Sequence, residues 1–318
     1  MKKTSKLLIL AGTVLAFLFL FGIIFYNNFI KKSIYEENSQ HLLSTYEQVD
    51  KTFTMFVQHN WNALSDWSNN LQYLDDAENM KTLWYDFARR KDAWQYQDFY
   101  MFNENCDFIT AAGRDGNAPN IQGIFLDMYA TGQPVISSYI ASDSNRRIVF
   151  ALPMDVPYTI NGITYSGLAV SYNNDVVEKL IAGNIYQGQS DCYILTSDGN
   201  VLLSLEPKTE FLQHISNLFD FLNKYTDMTE NEITDLKKNI KNVSTGSLQC
   251  RYNKKTYYLV YEPTGINDWT IVGIIHDDVV DASMRRIQSI TIVLLLILNG
   301  CIALLLTGTV FALMDSRL

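Results

Sequence analysis

The chain has 318 residues, of which 47% are hydrophobic and 19% are charged, a balance typical of a folded globular protein rather than a disordered one. Its formal net charge at pH 7 is −9. Because phosphate binding needs a basic face, which no stretch of this sequence offers, the composition excludes nucleic acid as a partner.

The apolar residues are concentrated in two uncharged runs near the ends of the chain. The first covers residues 7–29, after a basic tail of residues 1–6, and the second covers residues 287–314, ahead of residues 315–318. A helix needs about 20 apolar residues to cross the hydrocarbon of a bilayer. We therefore predict a two-pass protein of the plasma membrane, with the segment between the two transmembrane helices on the extracytoplasmic side.

A cleaved signal peptide is the alternative for the first run, since Lys2, Lys3 and Lys6 form a basic n-region. However, the run is longer than the usual core of a signal peptide, and it ends in large residues such as Phe25 and Tyr26 rather than in a small-x-small cleavage site. The sequence therefore favours an uncleaved signal anchor. A basic N-terminus ahead of a long anchor also favours export of the segment that follows.

Residues 30–80 predict a stalk helix, because no Gly and no Pro occurs between residues 23 and 112. Large apolar residues recur there in steps of three and four, apart from one step of eight. They are Leu43, Tyr46, Val49, Phe53, Phe56, Leu64, Trp67, Leu71 and Leu74. This spacing marks one apolar stripe, and its large aromatic residues indicate that it packs along a folded domain. We also expect a homodimer whose subunits contact each other through the stalk and the membrane helices.

After the stalk the periodicity changes, and the chain contains two pairs of similar segments, which we call echoes. The segment YMFNENCDFI (100–109) matches YILTSDGNVL (193–202) position by position, and both predict a strand, a tight turn and a second strand. A second echo pairs GLAVSYNNDVV (167–177) with TIVGIIHDDVV (270–280). Two copies of one α+β module in tandem would produce both echoes.

We predict these copies as a membrane-distal lobe over residues 81–185 and a membrane-proximal lobe with an exit helix over residues 186–286. In the distal lobe, QPVISSYI, RRIVFALPM and a hairpin across Asn161 and Gly162 predict strands. The arrangement is α+β, with a sheet of about five strands in each lobe.

The proximal lobe is predicted to begin its second half with two helices. One covers residues 211–224, and the other starts at Thr229, with Glu232 placed for a capping box. The strands SLQCRY, TYYLVYEP and WTIVGII then form an antiparallel meander.

These features together resemble the double-Cache (dCache) family, the extracytoplasmic sensors of bacterial transmembrane signalling proteins. The resemblance rests on the signal anchor, the long stalk, two PAS-like lobes and a second membrane helix. Its local matches are YILTSDGNVL, the ending YYLVYEPTGINDWTIVGII, and the DDVV that begins the exit helix. It implies a small ligand in the distal lobe and a signal that passes through the second membrane helix to a cytoplasmic output. Residues 315–318 would then begin a linker whose output domain is absent from the chain.

The ligand of a PAS-like lobe lies between the sheet and the helices and loops that cover it, so polar and aromatic residues of the distal lobe are the candidates. Arg can bind a carboxylate through two hydrogen bonds, and Tyr supplies a stacking face and a hydroxyl. The predicted ligand-binding residues are Tyr100, Arg114, Tyr129, Tyr139, Arg146, Arg147, Tyr165 and Tyr172. The alternative for the tyrosines is that β-propensity and packing placed them in strands.

The amino-acid-binding branch of the family carries an Arg-x-Trp-aromatic run in the distal lobe and an acidic residue near its end. Here GIFLDMY (123–129) contains neither Arg nor Trp, and Ser171, Tyr172 and Asn173 stand where the acid is expected. The resemblance therefore does not imply amino-acid recognition through those residues, and the identity of the ligand stays open.

The sequence contains no G-x-S-x-G elbow, no P-loop and no HExxH motif. His41 and His59 are eighteen residues apart, which on a helix separates them by about 27 Å, too far to share one ion. We therefore predict neither catalysis nor a metal or cofactor. Cys106, Cys192 and Cys250 leave one disulfide open as an alternative, although their spacing does not form a CxxC pair.

Two functions from different classes follow. The first is the sensor part of a signalling protein, with a histidine kinase as the first expected output and a diguanylate cyclase as the second. The alternative is a stand-alone, membrane-anchored binding or interaction protein without an output domain.

Overall fold

The structure is a computed structural model that describes residues 2–71, 73, 85, 89–91, 95–118, 122–141, 145–182, 189–204, 215–280, 289–294, 297 and 300. The chain divides into two compact units, Met1–Leu42 with His276–Leu318, and Leu43–Ile275. In the part of the chain that is described, no helix combines the length and the apolar character that crossing a membrane requires. Residues 301–314 of the second predicted membrane helix lie outside the described residues. The two-pass arrangement stays a prediction.

The first element is one long helix, α1 (Lys2–Leu71), which covers the first apolar run and most of the predicted stalk. Residues 72 and 74–80 of the predicted stalk lie outside the described residues. Within the larger unit, most of the predicted apolar stripe is buried, from Tyr46 to Leu71. The step of eight residues in the stripe is occupied by Val57 and Asn60, which are only 1% exposed. Leu74 lies outside the described residues. The stripe therefore packs against the folded lobes, as its aromatic content indicated.

The first lobe follows α1, and its described residues include one antiparallel sheet and the helices named below. Its strands are β1 (Asp98–Phe102), β2 (Asp107–Thr110), β3 (Asp115–Asn117), β4 (Val135–Ile140), β5 (Arg146–Ile160) and β6 (Ile163–Asn173). Its helices are α2 (Gln122–Thr131) and α3 (Asn174–Ala182). The strand order is β3-β2-β1-β6-β5-β4. The short edge strand β3 was not predicted from the sequence.

The second lobe repeats this plan. Its strands are β7 (Ser190–Leu195), β8 (Val201–Ser204), β9 (Gly246–Tyr252), β10 (Lys255–Pro263) and β11 (Thr270–His276). Its helices are α4 (Leu218–Tyr225) and α5 (Glu230–Lys241). The strand order β8-β7-β11-β10-β9 equals that of the first sheet without β3. The same topology in both lobes explains the two echoes in the sequence.

The two echoed turns share their backbone conformation. In the first turn, Cys106 has a φ of 62° and donates its N–H to the carbonyl of Asn103 at 2.9 Å. In the second, Gly199 has a φ of 82° and donates to the carbonyl of Thr196 at 2.8 Å. A positive φ strongly favours Gly, so the backbone conformation of this turn is less favourable at Cys106 than at Gly199.

The helices of the second lobe begin at capping side chains. The capping box is confirmed, because Thr229 Oγ1 accepts from the Glu232 N–H and the Glu232 carboxylate accepts from the Thr229 N–H. The helix predicted over residues 211–224 begins later, at Leu218. The Asn217 side chain caps it by accepting two backbone N–H groups of its first turn, at 3.0 and 3.2 Å.

Cys106, Cys192 and Cys250 are buried and free, so the disulfide alternative is wrong for these three residues. Burial raises the pKa of the Cys250 thiol to about 12 and that of the Cys192 thiol further still. Because the thiolate is the reactive form, both side chains act as small buried packing residues.

Candidate functional site

The two faces of the first sheet pack against different partners, because successive side chains of a strand point to opposite sides. On β1, Phe99 lies edge-on against Trp67 of α1, with ring centroids 4.7 Å apart. The next residue, Tyr100, points to the other face, where Phe125 of α2 lies at 6.5 Å. Phe102 stacks on Phe125 and joins the same cluster. The face turned toward α2 is therefore the one that a ligand of this lobe could reach.

A cavity of about 430 Å³ opens on this face, at the end of β1 where Asp98 begins the strand. Its volume is in the range of small-molecule sites. It is lined by Asp98, Tyr100, Phe108, Thr110, Arg114, Asp115, Asn117, Ala118, Tyr139, Ala141 and Arg147. Four of the eight predicted ligand-binding residues are thus brought together here: Tyr100, Arg114, Tyr139 and Arg147.

Asp98 lies between two guanidinium groups in the cavity. Its Oδ1 accepts from Arg114 Nη2 at 3.0 Å, and its Oδ2 accepts from Arg147 Nη1 at 3.3 Å. The side chains of Asp98 and Arg147 are 19% and 13% exposed, whereas that of Arg114 is 69% exposed. The Asp98–Arg147 pair is consequently the fixed part of the site, and Arg114 is a solvent-exposed cation at its mouth.

Arg114 is held in place by a tight turn after β2. The Thr110 N–H donates to the Arg114 carbonyl at 2.7 Å, and Thr110 Oγ1 accepts from the Arg114 N–H at 3.0 Å. Gly113, with a φ of 73°, supplies the conformation that reverses the chain. The turn at GRDG (113–116) therefore places an arginine at the cavity.

Two tyrosines add neutral polar groups to the lining. Burial raises the pKa of Tyr100 well above its ordinary value, and the neighbouring Tyr139 and Asp98 raise it further. The Tyr100 hydroxyl is buried and, within the described part of the chain, has no hydrogen bond of ordinary length and angle. It therefore stays protonated at physiological pH and can donate a hydrogen bond to Tyr139 or to a ligand.

The structure places the other four predicted residues outside this cavity. The Tyr172 hydroxyl donates to Asn60 Oδ1 at 2.8 Å, on the face that packs against α1. Tyr129 donates to the carbonyl of Phe102 at 3.3 Å. Tyr165, which lies on β6 and pairs with Tyr158 of β5, is only 2% exposed.

Arg146 also lies outside the cavity, although it is the neighbour of Arg147 in the sequence. Its guanidinium donates to the carbonyls of Val201 and Leu202 in the second lobe. The two arginines are neighbours on one strand and therefore point to opposite faces of the sheet. This alternation separates Arg146 from the cavity that Arg147 lines.

Asp98 is the main site residue that the sequence prediction missed. It stands two positions before Tyr100 on β1, so the period of two places both side chains on the same face. That rule, applied to Tyr100, would have identified it. Asp115 and Asn117 come from β3, a strand of three exposed residues that carries no periodicity to detect.

His276, Asp277 and Asp278 are a group in the described chain whose ligand atoms lie within 4.8 Å of one another. However, His276 Nδ1 accepts a hydrogen bond from the Asp278 backbone N–H at 3.0 Å. This bond caps the helical turn that Asp277 and Asp278 begin, and exposed acidic groups of this kind are common without a metal ion.

No family model matches the chain, and no curated protein matches it. Solved structures do match. One is the sensory domain of the Campylobacter jejuni chemoreceptor Tlp3 with isoleucine bound, with a TM-score of 0.53 and 11% identity over 80% of this chain and 98% of that one.

Two further structures widen the comparison. The ligand-binding domain of the Pseudomonas aeruginosa chemoreceptor PctB, in complex with L-Arg, gives a TM-score of 0.55 and 14% identity over 76% of this chain and 97% of that one. The extracellular domain assigned to a histidine kinase, mmHK1S-Z3, gives a TM-score of 0.53 and 13% identity over 76% of this chain and 98% of that one. At these identities the likeness concerns the fold. The chain has the fold of the extracellular, Cache-type sensor domains of chemoreceptors and histidine kinases, as its sequence resemblance implied.

Proposed function

We propose that this chain is the extracytoplasmic sensor part of a bacterial membrane signalling protein, and that the cavity of the first lobe binds its ligand. The observation that carries the proposal is the lining of this cavity. A half-open space in a sensor fold brings together one fixed carboxylate–guanidinium pair, a second exposed arginine and two tyrosines.

The lining favours a small zwitterion, such as an amino acid, as the ligand. Arg114 offers a guanidinium for a carboxylate, and Asp98 and Asp115 offer carboxylates for an ammonium group. Two structures with this fold hold isoleucine and L-Arg. The Arg-x-Trp-aromatic run and the acidic residue of the family's amino-acid-binding branch are both absent, so Arg114 and Asp98 take over their two charge roles in this proposal.

Anchoring and output belong to the same proposal. The apolar runs 7–29 and 287–314 hold the chain in the plasma membrane, and the second run carries the signal inward. A homodimer forms through the stalk and the membrane helices. Because one protein with this fold is assigned to a histidine kinase, we place that output first. A diguanylate cyclase output and a stand-alone module are the alternatives, and the reading frame that follows Leu318 in the source DNA decides among them.

The test is thermal unfolding of the full chain in detergent with each of the common amino acids. A ligand that binds only the folded state stabilises it by about 2.7 kcal/mol at a hundredfold excess over Kd. For an amino acid that raises the Tm, the analogues without the amino group and without the carboxyl group should raise it less, because each loses one charged contact.

Asp98→Asn and Arg114→Gln should abolish or weaken this rise, because they remove the two charges assigned to the ligand. The matched control is Arg251→Gln, the same change on an exposed strand residue of the second lobe, which should keep the full rise. If no amino acid raises the Tm of the wild-type chain, or if Arg251→Gln abolishes the rise as Asp98→Asn does, the assignment of the ligand to this cavity is wrong.

A further inference from the structure

We infer that Arg146 couples the cavity of the first lobe to strand β8 of the second lobe, so that a change at Arg147 alters how firmly β8 is held. This inference rests on the proposed function, in which the cavity is the ligand site. It makes Arg146 a positioning residue, which transmits the state of the site without touching the ligand.

The first step is the geometry of β5. Arg147 lies in the cavity on Asp98, while Arg146, one residue earlier, donates to carbonyls of the other lobe. The two residues share a peptide unit, and both are paired on the sheet, Arg146 with Ile140 and Arg147 with Asn173. A displacement of the β5 backbone at Arg147 therefore also displaces Arg146.

The second step is the position of β8 as an edge strand of the second sheet. This strand pairs with β7, and the register of the pair shifts where Ile194 faces Leu203 and Leu195 faces Val201. Leu202 is thus an extra residue, as in a β-bulge. The bulge presents the carbonyls of Val201 and Leu202 to one guanidinium, which has several N–H donors in a fixed plane and can satisfy both.

The third step connects β8 to the rest of the second lobe. The Val201 N–H donates to the carbonyl of Ser216 at 3.0 Å, directly before the Asn217 cap of α4. Movement of β8 therefore reaches the start of a helix that belongs to the core of the second lobe.

A second bond to the same strand provides the control. Asn174, at the start of α3, donates through Nδ2 to the carbonyl of Ser204 at 2.6 Å. It reaches β8 from the first lobe as Arg146 does, but neither of its neighbours in the chain lines the cavity, whereas Arg147, the neighbour of Arg146, does. A change that merely loosens the contact between the lobes should affect both positions, whereas coupling to the cavity should depend on Arg146.

The experiment measures hydrogen exchange of the β8 amides in the full chain, with Asp98→Asn as the change in the cavity. This substitution removes the charge that holds Arg147. We expect it to change the exchange rates of residues 201–204 by about 2- to 30-fold, the range of measured coupling between sites. In the Arg146→Gln background the effect of Asp98→Asn should vanish, and in the Asn174→Ala background it should persist.

Arg146→Lys is the second variant, in case Arg146→Gln lowers the yield of folded protein. A lysine keeps the charge but cannot reproduce the planar set of donors, so we expect a reduced response. An equal response to Asp98→Asn with and without Arg146, or no response of β8 in the wild-type background, overturns the coupling.

Since no ligand is added, this experiment is separate from the thermal test of the cavity. An amino acid that raises the Tm of the wild-type chain, combined with an unresponsive β8, would leave the proposed function standing and refute only the role of Arg146.

Discussion

Replacing Tyr172 with Phe should destabilise the chain although the ring and its packing are kept. The Tyr172 hydroxyl donates to Asn60 Oδ1 at 2.8 Å, and the two residues are 2% and 1% exposed. The Asn60 amide nitrogen already donates to the carbonyl of Phe56 at 2.9 Å, which fixes the orientation of the amide. Phenylalanine would therefore leave the Asn60 oxygen buried without a donor.

An unsatisfied buried acceptor costs about 1–3 kcal/mol, and for a domain of this size 1 kcal/mol lowers the Tm by about 2–4 °C. For a loss of about 2 kcal/mol, we expect the Tm of Tyr172→Phe, measured by tryptophan fluorescence, to fall by about 4–8 °C.

Tyr193 provides a matched control for this measurement. It is also 2% exposed, but its buried hydroxyl has no hydrogen-bond partner among the described residues. Removing a hydroxyl that makes no bond leaves nothing unsatisfied, so Tyr193→Phe should keep the Tm or raise it slightly. Equal losses in the two variants would refute the argument, since the hydrogen bond to Asn60 would then not be the source of the difference.

Three further predictions concern the second lobe. A Cβ at Gly273 would lie 1.8 Å from the Tyr46 ring, so Gly273→Ala should lower the free energy of unfolding by about 1–3 kcal/mol. The loss, measured by denaturant unfolding, should be smaller in a Tyr46→Ala background, where the ring is absent. Burial raises the pKa of Glu262 above its ordinary 4.5, and the Asp50 carboxylate adds to this. The folded chain thus binds this proton more tightly than the unfolded chain, so the wild type gains stability as the pH falls toward 4.5. Glu262→Gln should raise the Tm at pH 7, because it removes the buried charge, and should reduce this rise of stability at lower pH. Thr229→Ala removes the capping box of α5 and should cost about 1 kcal/mol, a loss that Thr229→Ser should largely avoid.

The parts of the fold that local rules govern could be predicted from the sequence. The capping box at Thr229 involves residues three apart, and the turn at Gly199 depends on the conformational freedom of one residue. The long helix followed from the absence of Gly and Pro, and the presence of two copies of one α+β module followed from the echo of residues 100–109 in residues 193–202.

The site was only half predictable because it depends on which face each strand residue takes and on distant partners. Tyr172 looked like a ligand residue, but its partner Asn60 lies 112 positions away and occupies a gap in an otherwise apolar stripe. Arg146 and Arg147 have the same chemistry in the sequence, and only the register of β5 separates the cavity from the second lobe. Asp98 can be assigned to the site only when the face of the sheet that Tyr100 occupies is known.

The helix α1 supplies core residues to both lobes. Phe53 stacks on Trp269 of the second lobe, with centroids 6.2 Å apart, whereas Trp67 packs on Phe99 of the first. These two contacts are separated by about 20 Å along one rigid rod. Neither sheet is covered on both faces without that rod, so a fragment that begins after Leu71 should expose an apolar surface and aggregate. The two lobes should accordingly lose their structure in one cooperative transition, although their repeated topology suggests two independent domains.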